Sequence, residues 1–152
     1  MPEPSFLLDG MLGSLARWLR IMGYDSVYLR DEADRELLAA LGDRYLLTRD
    51  RQLAQRAGAR GFYLESDELE VQLSAVVERF GLRFDVERTR CTACNGPLGK
   101  VPKEQVEHKV PEGTWSGHQD FWVCRDCGKV YWQGAHWKNI RDRLFFQWAP
   151  CQ

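Results

Sequence analysis

Through the first 80 residues, short apolar runs alternate with stretches in which apolar residues recur every three to four positions. FLLD at 6–9 reads as a buried strand. It precedes a helical stripe of Leu12, Leu15, Ala16, Leu19 and Met22, with Gly23 placed to end the helix. Arg17 and Arg20 share another face of that helix. SVYL at 26–29 predicts a second strand, followed by an acidic loop and a helix that Asp34 is placed to cap, running through Leu37, Leu38 and Leu41 to Gly42. RYLLT at 44–48 predicts a third strand, leading through Asp50 into a short helix at 51–57. GFYL at 61–64 predicts a fourth, ahead of a helix with Leu69, Leu73, Val76, Val77 and Phe80 on one stripe and Gly81 after it. This order of alternating strands and helices, with short connections, predicts an α/β fold: a parallel sheet flanked by helices and closed by right-handed crossovers.

The helical pattern stops after Phe84, and four cysteines and most of the tryptophans follow, so the chain divides into a domain at 1–87 and a smaller one at 88–152. The length of 152 residues suits one compact domain and one metal-stapled one. Charge divides at the same place. Residues 1–87 carry 11 Lys and Arg against 16 Asp and Glu, a balance of −5, whereas residues 88–152 carry 10 against 6, a balance of +4. The acidic part suits cations and the basic part suits phosphates. No apolar run approaches the roughly 18 residues of a membrane span. The opening MPEPSFLLDG lacks the basic and apolar regions of a secretory signal, which predicts a cytoplasmic protein without membrane contact.

In a reducing compartment, Cys91-x-x-Cys94 and Cys124-x-x-Cys127 are metal ligands rather than disulfide partners. Two such knuckles joined by short strands make a tetrahedral four-sulfur site for structural zinc, with iron the chemical alternative, and Gly96 and Gly128 suit turns whose amides face the sulfurs. His108, His118 and His136 are not needed by a site that already has four thiolates, and Cys151 is a spare thiol near the end of the chain.

Ligands bind a doubly wound sheet beyond the carboxyl ends of its strands. Each crossing of the first domain delivers an aspartate there: Asp9, then Asp31 and Asp34, then Asp50, then Asp67. Such a cluster is costly unless a divalent cation neutralises it, and hard oxygen ligands select Mg²⁺ or Mn²⁺, ions that activate water for phosphodiester hydrolysis. Each residue also has a plain structural role. Asp9-Gly10 makes a turn, Asp34 and Asp50 suit N-caps, and Asp67 with Glu70 spells a capping box. In the second domain Trp115, Phe121, Trp122, Tyr131, Trp132, Trp137 and Trp148 interleave with basic residues, a composition that serves a small core or a surface on which bases stack and phosphates pair. Trp132, Trp137, Lys138 and Arg141 are the candidates for nucleic-acid contact, and Arg17, Arg20 and Arg49 for offsetting phosphate charge near the aspartates.

The stretches FLLDGMLGSLARWLRIMGYD, YLLTRDRQL, RCTACNGPL and FWVCRDCGKVYWQGAHW, with a closing basic helix, resemble in order the PIN-like RNases of the Mut-seven C-terminal family, in which a zinc ribbon is attached to the nuclease domain. The resemblance covers nearly the whole chain. It implies a Rossmann-like PIN fold over 1–87, a zinc ribbon over 88–152 and metal-dependent, endonucleolytic cleavage of RNA. By motif, Asp9 and Asp50 match the first and third acids, and Asp34 the second, with Asp31 or Glu32 as alternatives. Asp67 is the candidate for the fourth, and Cys91, Cys94, Cys124 and Cys127 match the ribbon ligands. Dimers are common among PIN-like proteins, so a homodimer is among the expectations, as is an inhibitory protein partner. The rival reading is a non-catalytic RNA-binding adaptor that keeps the fold without turnover.

Overall fold

The computed structural model describes residues 3–85 and 88–134. Residues 86–87, where the sequence divides, lie outside the described residues, as do Trp137, Lys138, Arg141 and the closing basic helix.

The first half carries β1 (Phe6–Leu8), α1 (Gly13–Ile21), β2 (Ser26–Tyr28), α2 (Asp34–Ala40), β3 (Tyr45–Thr48), α3 (Arg51–Arg56), β4 (Gly61–Tyr63) and α4 (Leu69–Phe80). All four strands are parallel, in the order β2-β1-β3-β4. The predicted α/β architecture is therefore the observed one. The central strands β1 and β3 are buried on both faces, which is why they read as unbroken apolar runs rather than alternating ones, while the edge strands β2 and β4 are partly exposed. Alternation survives in how those runs are shared. Phe6 and Leu8 pack with the α1 stripe and with Leu73 and Val76 of α4, while Leu7 and Leu46 pack on the other face with Leu37, Leu41 and Leu53 of α2 and α3.

Two helix starts differ from expectation. Asp34 is the first residue of α2, and Ala33, without a side-chain hydrogen bond, occupies the cap. A carboxylate there still faces the positive end of the helix, but its oxygens stay available. Asp67 likewise caps nothing: α4 starts after Glu68, whose amide donates to Ser66 Oγ at 3.0 Å. Asp50 does cap α3, accepting from the amides of Gln52 at 3.0 Å and Leu53 at 3.1 Å.

The second half holds an antiparallel sheet of β5 (Leu98–Val101), β6 (Phe121–Cys124) and β7 (Val130–Trp132), in the order β5-β6-β7. Between β5 and β6 lies α5 (Glu112–Gly117), where Trp115 donates its indole N–H to the Lys103 carbonyl at 2.8 Å and packs under the Lys103 ammonium. Among the described residues of this half, the buried apolar side chains are few: Val106, Phe121 and the two cysteines Cys91 and Cys124. A core so small needs another source of cohesion. No helix of the described residues is long and apolar enough to cross a membrane.

Candidate active site and metal centre

In the order β2-β1-β3-β4, the chain leaves β1 toward one side and returns from β2 to the other, so the topological switch point lies between β1 and β3. Asp9 follows β1 and Asp50 follows β3, which puts the two aspartates on either side of that point. Thr48, the last residue of β3 and fully buried, joins them. Its Oγ1 accepts the Asp50 amide at 2.9 Å, so its only proton is left for Asp9 Oδ2, 2.5 Å away. Asp9 Oδ1 takes the Met11 amide at 3.4 Å. Sequence reasoning passed over Thr48 because a threonine ending a strand has good strand propensity and needs no further reason to be there.

Gly10 is what lets the acidic loops meet. A Cβ at this position would lie 2.2 Å from the Arg30 carbonyl oxygen, and the Tyr28 hydroxyl donates to the Gly10 carbonyl at 2.8 Å. The β2–α2 loop, with Asp31 and then Asp34 beyond it, is thus pressed against the Asp9 turn. Gly10→Ala must push the loop away. A loss of about 1–3 kcal/mol in stability is expected, measured by thermal or urea unfolding.

The other predicted residues are placed less closely. Asp34 pairs with Arg56 of α3 at 3.8 Å, an exposed contact of the kind worth at most about 1 kcal/mol and easily exchanged. Asp67 and Asp31 are exposed on their loops. The ligand oxygens of these aspartates do not gather into a compact set, because among the described residues only the four cysteines bring their ligand atoms within 4.8 Å of one another. Carboxylates suit a hard cation chemically, and Asp9 and Asp50 flank the right crevice, but an ion would have to draw further oxygens inward. Arg17 is exposed on α1. Arg49 reaches across the sheet edge, its Nη2 donating to the Glu65 carbonyl at 3.0 Å, and its Nε is the buried side-chain polar atom left without a partner among the described residues.

Arg20 corrects the expectation of a phosphate contact. It is only 8% exposed, with the chain at 90–92 leading into the first cysteine knuckle bonded to it. Its Nε donates to the Ser26 carbonyl at 2.9 Å and its Nη1 to the Thr92 carbonyl at 2.8 Å. Nothing in the helical periodicity of 12–22 announces this, since the covering residues lie about 70 positions further along the chain.

The four cysteines gather as the spacing predicts. Cys91 and Cys127 sulfurs are 3.7 Å apart and Cys94 and Cys124 sulfurs 3.4 Å, close to the edge of about 3.8 Å that a tetrahedron with 2.3 Å metal–sulfur bonds requires. The cluster can therefore hold a zinc ion. The amides of Asp126 and Cys127 point at Cys124 Sγ, both at 3.4 Å. Gly128 ends the second knuckle at φ +82, a left-handed turn, but in the first knuckle that role falls to Asn95 at φ +71 rather than to Gly96. Gly96 is needed for room instead: a Cβ there would lie 2.9 Å from Cys124 Sγ.

Neighbours set the acidity of the thiols. Burial works against ionising Cys91, but hydrogen bonds from the Tyr131 hydroxyl, at 2.9 Å, and from the Cys94 and Ala93 amides outweigh it and bring the thiol down to about 7. Cys94 is pushed up to about 12, chiefly by its contact with Cys124. Trp132 pairs with Phe121 across the sheet and is half-buried.

The chain thus joins a parallel α/β sheet with aspartates at its switch point to a four-cysteine cluster that can hold a metal ion. The Mut7-C RNAse domain family matches residues 4–144, and the chain belongs to that family. Comparisons with curated proteins and with solved structures find no match. Membership supports a ribonuclease-type function with RNA as substrate.

Proposed function

We propose that the protein is a metal-dependent endoribonuclease whose reacting centre lies at the β1/β3 switch point and whose C-terminal zinc ribbon assists RNA binding. The observation that carries this reading is Thr48, whose hydroxyl holds the Asp9 carboxylate and accepts the Asp50 amide, while the Asp50 carboxylate is held by the amides of Gln52 and Leu53. Asp9 and Asp50 would hold Mg²⁺ or Mn²⁺, with Asp34, and Asp67 or Asp31, supplying further oxygens. Such an ion neutralises the carboxylates and makes a bound water nucleophilic at neutral pH. Thr48 holds the Asp9 carboxylate in register with the end of β3, and the Asp50 cap fixes its own side chain against α3. Arg49 brings a positive charge to the same edge, where it can offset the negative charge of a phosphate. Met11, 71% exposed next to Asp9, offers an apolar surface to a neighbouring base. Trp132, with Trp137, Lys138 and Arg141, is assigned to stacking and phosphate contact on the ribbon, so binding should weaken as salt rises.

The test is cleavage of labelled single-stranded and structured RNAs with Mn²⁺, Mg²⁺ or EDTA. Cutting that requires the ion supports the reading, and salt-dependent binding without cutting favours the adaptor. Thr48→Val separates positioning from folding. Losing the partner that orients a metal-ligating carboxylate should cost about 10- to 100-fold in activity at limiting Mn²⁺, recovered in Thr48→Ser, which keeps the hydroxyl.

A further inference from the structure

We infer that the four-thiolate centre is completed by a residue outside the C-terminal sheet, with Arg20 of α1 acting as its buried counter-ion. The inference rests on zinc occupying the cysteine cluster. Four thiolates and one Zn²⁺ carry a net charge of −2, which needs compensation wherever water is excluded. Among the described residues, Lys129 and Lys100 lie at the surface, one over the Tyr131 ring at 5.2 Å and the other paired with Asp120, and Arg90 holds the Asn95 carbonyl at 2.8 Å from a partly buried position. Arg20, 8% exposed, is the buried cation beside the first knuckle.

Its geometry is that of a built position. Nη1 holds the carbonyl of Thr92, the residue after the ligand Cys91, and Nε holds the carbonyl of Ser26 at the start of β2. The Arg20 carbonyl in turn accepts the Arg90 amide at 2.8 Å, next to Cys91 on its other side. Thr92 donates its own amide to the Tyr131 hydroxyl at 3.1 Å, so that hydroxyl directs its proton to Cys91 Sγ. Arg20 and Tyr131 therefore close on one ligand through one residue. Burial pulls the Arg20 pKa down, while Cys91 and Cys94, followed by Tyr131 and Asp25, pull it back up, as expected of a cation facing thiolates. Asn95, inside the first knuckle, fastens the same junction: its Oδ1 accepts the Ser26 amide at 3.0 Å and its Nδ2 donates to Asp25, which Arg44 also grips. The metal centre and the first sheet form one electrostatic unit.

The test uses the full chain as wild type, Arg20→Lys, Arg20→Gln and, as control, Arg44→Gln, which loosens the same junction away from the sulfurs. Zinc affinity is read by competition with a chromophoric chelator, and thiolate exposure by the rate of iodoacetamide alkylation of the zinc-loaded protein. Arg20→Gln should lose about tenfold or more in affinity and alkylate faster, while Arg20→Lys keeps most of both and Arg44→Gln stays near wild type. Equal losses in Arg20→Lys and Arg20→Gln, or none in Arg20→Gln, overturn the counter-ion role. Should Arg20→Gln fail to fold, the Nε–H resonance of Arg20 in the wild type, followed as zinc is added, decides. A zinc-dependent shift larger than that of Arg44 is expected, and an equal or absent shift overturns the inference. A wild type that takes up no zinc overturns the metal reading as well, whereas a zinc-loaded wild type beside an indifferent Arg20→Gln overturns this inference alone.

Discussion

The Asp9→Asn, Asp50→Asn double variant is expected to keep its fold and zinc and to lose RNA cleavage by at least about 10²- to 10³-fold, the several kcal/mol that charge stabilisation by a bound ion supplies. The substitution is chosen for what it preserves. Asparagine caps a helix as well as aspartate, so the bonds from Gln52 and Leu53 persist at position 50. At position 9 the amide oxygen still accepts the Thr48 hydroxyl. Besides the negative charge, only the long bond from the Met11 amide at 3.4 Å is lost, and unfolding should shift by no more than about 1 kcal/mol. Cleavage assays with Mn²⁺ beside thermal unfolding check both halves. A double variant that cuts at the wild-type rate would move the reaction away from the switch point. Inactive wild type and variant that both bind RNA would make the protein an adaptor.

The second large effect concerns the cysteine centre. Chelating zinc, or replacing Cys91 or Cys124 by serine, should unravel β5, β6 and β7 while the four-stranded sheet keeps its helices. Structural zinc supplies apparent binding energies of about 10–16 kcal/mol, whereas the buried apolar side chains of this half are, among the described residues, Val106, Phe121 and two of the ligands. Near-ultraviolet circular dichroism of the tryptophans should collapse as zinc leaves, with far-ultraviolet helix signal largely retained. An unchanged spectrum at zero zinc would show that the apolar contacts suffice. Acid should act in the same direction. The Cys94 thiol, pushed up to about 12, keeps its proton at neutral pH until metal displaces it, so binding releases protons and affinity falls as pH falls.

What the sequence made legible follows from how local each signal was. The helix of 69–80 and the stops at Gly23, Gly42 and Gly81 depend on spacing along one segment, and the structure places them within a residue of that reading. The cysteine knuckles carry their geometry in the Cys-x-x-Cys spacing itself. Asp9 and Asp50 were legible because strand ends and a parallel sheet imply one shared edge. The strand order was not, since nothing in four apolar runs says which becomes central, and the special position of the β1/β3 pair appeared only with it. Arg20 was misjudged for the same reason: helix periodicity distinguishes faces of one helix, not what a distant segment lays over them. Asn95 in place of a glycine shows a smaller version of this, a local conformation held by partners at positions 25 and 26.

The place where the C-terminal sheet is fastened has a consequence for substrate length. Asp9 precedes α1 at one end and Arg20 lies at the other, so the nine residues of Gly13–Ile21, about 14 Å of helix, stand between the proposed cut and the ribbon's anchorage. A transcript held on the ribbon and cut beside Asp9 has to bridge that interval. If the proposed reading holds, fragments too short to do so should be released before they are cut, and α1 would act as a spacer that sorts RNAs by size before any base is read.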